Sequence, residues 1–101
     1  MNNKQEILEA INNYEIFTIK QRTVLKTLAS IEIDEIATIT IPTLSRVTGI
    51  SSAAVYRAIK VFSNEGYIKV IDDNSRKVCK FRINSTKMNE IIKVHEMMKK
   101  I

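Results

Sequence analysis

TIPTLSRVTGISSAAVYRAIKVFSNEGYI, Thr40 to Ile68, reads as a short helix, a tight turn, a second helix and the start of a strand. Thr40 is a side-chain N-cap, Pro42 is tolerated because it falls in the first turn, and Leu44 and Val47 give the short helix its apolar stripe. Gly49 ends it, since glycine enters the left-handed region without steric cost. Ile50 turns inward as the apolar pin of the corner. Ser51 then caps a second helix in which Val55, Ile59 and Phe62 recur at i, i+4 and i+7, until Gly66 stops it and Tyr67 and Ile68 open a strand.

The positions left facing water at the start of the second helix are Ser51, Ser52, Ala53, Ala54, Tyr56, Arg57 and Lys60. Small residues in the first turn let a backbone approach base edges, and Arg and Lys reach guanine acceptors or phosphates. A glycine between two amphipathic helices also occurs in corners that never meet nucleic acid, so charge placement separates the two readings. Residues 1–40 carry four cations against six carboxylates, a net of −2, whereas residues 41–84 carry eight against three, a net of +5. A basic excess concentrated on the two helices and the strands after them is a footprint for phosphates. A membrane surface is the weaker candidate, because these cations lie on a patterned globular unit and not on one amphipathic helix with an aromatic face.

With 101 residues, 45% of them hydrophobic, the chain fits one small core, a single domain over residues 1–101. The opening MNNKQEILEA has no apolar run behind Lys4, and nothing approaches the roughly 18 apolar residues of a membrane span. A cytoplasmic protein is expected, without membrane attachment. One cysteine, Cys79, and one histidine, His95, leave no internal disulfide and too few soft ligands for a structural zinc. They also leave no nucleophile and base pair, and there is no glycine-rich phosphate loop. The expectation is therefore a protein that is not an enzyme and takes no metal, cofactor or small-molecule effector.

Before the corner, Lys4 to about Asn13 forms a packing helix that gathers Ile7, Leu8, Ala10, Ile11 and Tyr14 on one side. Thr18 with Gln21 makes a capping box for a second helix bearing Val24, Leu25 and Leu28. Residues 31–41, ending in the β-branched run Thr38, Ile39, Thr40, Ile41, suit a short strand that pairs with a later hairpin. That hairpin is YIKVI and KVCKFRI, residues 67–71 and 77–83, joined by a polar turn. Cys79, Phe81 and Ile83 alternate to the core, Val78, Lys80 and Arg82 point outward, and Arg76 and Lys77 sit at the tip. Tip and outer face either touch the sugar-phosphate backbone or form a solvated edge guarded by lysines. Asn84 or Ser85 caps a last helix in which Ile91, Val94, Met98 and Ile101 follow a seam-like spacing, beside Met88, Ile92 and His95. Its apolar arc of about 220° exceeds what packing on one domain requires, so a second copy of the chain is the expected partner, the alternative being a helix sunk in a deep groove of its own chain, with His95 as a packing residue.

The pattern resembles the winged helix-turn-helix of DNA-binding proteins: a mainly α chain with a small β-hairpin wing, helix-turn-helix at about 40–66, wing at about 67–83, C-terminal dimerisation helix at about 85–101. MarR-type repressors share the layout, but this chain lacks their long bracketing helices. It is more similar to the TubR family, the centromere-binding adaptors of tubulin-like partition systems on plasmids and phages. The likeness covers the whole chain and includes Ser51, Val55, Phe62 and the Gly66, Tyr67, Ile68 run. The spacing is one that many repressors share. The resemblance implies a homodimer that binds tandem centromere repeats in double-stranded DNA, represses its own operon and hands the complex to a tubulin-like GTPase filament. A stand-alone repressor and a winged helix used only to bind protein are the alternatives. Abundant Ile, Lys and Asn fit an AT-rich host or mobile element.

Overall fold

Every helix starts where a side chain takes up amides that have no partner in the first turn. In a computed structural model, which describes residues 3–72 and 78–99, the elements are α1 (Lys4–Asn12), α2 (Ile19–Ile31), β1 (Ile36–Ile39), α3 (Ile41–Thr48), α4 (Ser52–Asn64), β2 (Ile68–Asp72), β3 (Cys79–Ile83) and α5 (Ser85–Lys99). The Asn3 side chain accepts from Gln5 N–H, Thr40 from Thr43 and Ser51 from Ala54. Thr18 and Gln21 complete the predicted capping box, at 3.1 and 2.9 Å. Of the two candidate caps for α5 it is Asn84 whose side-chain Oδ1 accepts, from the Thr86 and Lys87 amides at 3.0 and 3.3 Å.

Both glycines close helices. Gly49 has φ 70° and Gly66 φ 81°. The Ile50 amide donates to the Ser45 carbonyl at 3.2 Å, and the Tyr67 amide donates to that of Phe62 at 2.8 Å, the six-to-one bond of a Schellman ending in each case. Three residues therefore suffice to connect α3 to α4, and three more to connect α4 to β2.

The protein is α+β, mainly helical, with one small antiparallel sheet in the order β1-β3-β2. β1 pairs with β3 through Ala37–Phe81 and Thr38–Lys80, and β2 pairs with β3 through Lys69–Arg82 and Val70–Phe81. The strand foreseen for residues 31–41 is shorter, because Asp34 and Glu35 form a tight turn that folds Ile33 back on Ile36 through reciprocal amide–carbonyl bonds of 2.9 and 3.0 Å. Along β3 the burial alternates as foreseen: Cys79, Phe81 and Ile83 face in, Lys80 and Arg82 face out. The inner face joins a core built from Ile7, Ile11, Leu25, Leu28, Leu44, Val55, Phe62 and Ile91, among others. Phe17 sits edge-on to Tyr14, Phe62 and Tyr67 with centroids 5.0–5.2 Å apart, which ties the α1–α2 connection to α4 and β2. Burial and the Tyr14 hydroxyl push the Tyr67 phenol up to about 12.

Val47 does not join the stripe of α3: it is 62% exposed. The helix begins at Ile41, and its buried face runs through Ile41 and Leu44 with Thr48 beside them, so a residue three beyond Leu44 has already rotated off it. Among the described residues no helix is long and apolar enough to cross a membrane.

Candidate nucleic-acid interface

α4 is a 13-residue helix that buries Val55, Ala58, Ile59 and Phe62 and turns the rest of its circumference away from the core. Ser51, Ser52, Ala53, Arg57 and Lys60 are exposed, as expected. The Ser51 hydroxyl is already engaged as the cap, at 3.2 Å from Ala54 N. Ala54 is half-buried and packs on the core, not outward. Tyr56, 46% exposed, lines a narrow cleft with Ile59, Val70 and Cys79, so its ring stands between α4 and the hairpin. Lys80 and Arg82 lie on the outer face of β3, and Arg76 and Lys77 lie outside the described residues.

The strand register adds one residue to this set. Lys69 on β2 stands directly opposite Arg82. Its place in a period-two strand was readable, but only the pairing of β2 with β3 brings it beside Arg82. On the other flank of α4, Arg57 shares a cleft with Lys20, Thr18 and Gln21 at the start of α2. Lys20 was not among the residues that the sequence suggested for this surface.

The cations fall into two groups by their partners. Lys4 bonds the Ser30 carbonyl and pairs with Glu32, Arg22 and Lys26 bond Asn12, Lys87 pairs with Glu90, and Lys99 pairs with Glu9. The Lys99 ammonium, with His95 beside it, holds the Glu9 carboxyl below the usual carboxylate range. By contrast, Arg57, Lys60, Lys69, Lys80 and Arg82 are all exposed, and none has an ion-pair partner among the described residues. Five cations without an ion pair among the described residues thus share α4 and the outer sheet face, while Lys20 on α2, Arg46 on α3 and Lys93 on α5 are likewise exposed and without one. No group of three metal-ligating side chains occurs among the described residues.

Of the seam assigned to α5, Ile91 is 1% exposed and is consumed by the chain's own core, along with Met88 and Ile92. Val94 and Met98 are 37% and 55% exposed, and Met97, which the seam left out, is 68% exposed. Ile101 lies outside the described residues. Compared with family models, characterised proteins and solved structures, the chain has no match.

Proposed function

We propose that the chain is a double-stranded DNA-binding protein of the winged helix-turn-helix type, in which α4 enters the major groove and the β2–β3 hairpin is the wing. The observation that carries this reading is the cluster of exposed cations on α4 and the adjoining sheet face that have no ion-pair partner among the described residues. The small residues Ser52 and Ala53 at the start of α4 support it, because they leave room for the helix end to approach base edges. The biological role we propose is that of a centromere-binding adaptor in a tubulin-like partition system, acting as a homodimer and repressing its own operon. Its support is the resemblance of the sequence to that family. The exposed Val94, Met97 and Met98 on α5 support the dimer.

The test is Arg57→Ala. The variant should keep the wild-type melting transition and lose about 1–3 kcal/mol of specific binding to duplex DNA from the upstream region of its own gene. A folded variant with unchanged affinity at physiological salt would mean that α4 is not the reader.

A further inference from the structure

Two pairs of cations flank α4, and the fold's own electrostatics disfavours both placements. Lys20 stands in the first turn of α2, where the helix end carries partial positive charge and a carboxylate would be favoured; that turn holds no acidic residue. Lys69 and Arg82 face each other directly across β2 and β3, a like-charge opposition that works against the sheet. None of Lys20, Arg57, Lys69 and Arg82 is neutralised by an ion pair among the described residues.

Each pair lines a cleft that has α4 as one wall. Lys20 and Arg57 line one of about 140 Å³ with Thr18, Gln21, Ala54 and Ala58. Lys69 and Arg82 line another of about 440 Å³ with Ser63, Asn84 and Ser85, and Glu35 also lines this second cleft. Arg57 in the first cleft and Ser63 in the second are six positions apart on α4, about 9 Å along the axis and on different flanks at about 100° per residue. A helix lodged in a major groove about 12 Å wide has a phosphate strand on either flank.

On the reading of α4 as the groove-entering helix, we infer that Lys20 with Arg57 seats a backbone phosphate on one strand and Lys69 with Arg82 seats one on the other. Seated anions remove both electrostatic penalties at once. The two lysines fix position and carry no sequence information. Glu35 opposes the second phosphate.

The experiment measures binding of the full chain to a fluorescent duplex from its own upstream region and to a scrambled duplex of equal length, over a range of salt. Lys20→Ala and Lys69→Ala should each weaken both duplexes by a similar factor and make the log–log salt slope shallower by about 0.9 for each phosphate contact removed. Glu35→Gln should tighten both. Wild-type slopes and affinities in both lysine variants, with Arg57→Ala still impaired, would overturn this inference and leave the reading of α4 intact. Failure of the wild-type chain to bind any duplex at low salt would overturn both.

Discussion

Asp34 and Glu35, with φ of 52° and 71°, share the left-handed region with Gly49 and Gly66, but only the glycines suit it. The Glu35 amide donates to Glu32 Oε2 and its carbonyl accepts from Ile83, both at 2.7 Å, so one local and one tertiary bond hold this residue in a conformation it disfavours. Glu35→Gly should therefore raise stability by about 1 kcal/mol, whereas Gly49→Ala should lower it by about 1 kcal/mol or somewhat more. An alanine Cβ at Gly49 would meet nothing within 4 Å, so that loss is purely conformational and Gly49→Asn should recover part of it. Urea melts of the variants measure both signs; destabilisation by Glu35→Gly would show that the carboxylate matters more than the backbone. The glycine turns were legible because the residue type announces them. The Asp34–Glu35 turn was not, since Glu35 does not signal positive φ and one bond that holds it, from the Ile83 amide, comes from far along the chain.

At the scale of elements, helix caps and the period of β3 were legible because each depends on residues a few positions apart. The division of α5 into two faces was not. A wide apolar arc states how much surface is available but not which part faces α1, and Ile91 went to the core while Val94, Met97 and Met98 stayed out. Dimerisation through α5 is accordingly tested with Val94→Asp combined with Met98→Asp, which leaves the buried Met88, Ile91 and Ile92 untouched. The double variant should sediment as a monomer, keep its helical circular dichroism and bind DNA more weakly. Persistence of the dimer would move the interface to another surface. Ile91→Asp is unsuitable for this purpose, because a charge at a fully buried site costs several kcal/mol of folding stability in its own right.

For the whole molecule, the sequence already showed the charge asymmetry between residues 1–40 and 41–84. The fold adds which cations remain unneutralised, a property of pairs that are distant in sequence, such as Lys4 with Glu32 or Lys99 with Glu9. If backbone contacts dominate, specificity has to come from occupying neighbouring sites, each bound dimer raising the local concentration for the next. An array of upstream repeats should then be bound cooperatively and one isolated repeat poorly, in gel shifts at fixed salt. In a pelleting assay the array complex, and not the free protein, should co-sediment with a tubulin-like GTPase encoded beside it. Equal affinity for one site and for the array, with no GTPase in the pellet, would replace partition by stand-alone repression.

Cys79 sits at 2% exposure on the inner face of β3, lining the same narrow cleft as Tyr56, and the sequence has no other cysteine. A thiol reagent can therefore react at one place only, and only when the hairpin lifts from α4, so the modification rate is a clock for that opening. Labelling of the native chain should be far slower than in urea. Saturating duplex DNA should slow it further if wing and helix are clamped together on the same groove, and leave it unchanged if DNA engages α4 alone.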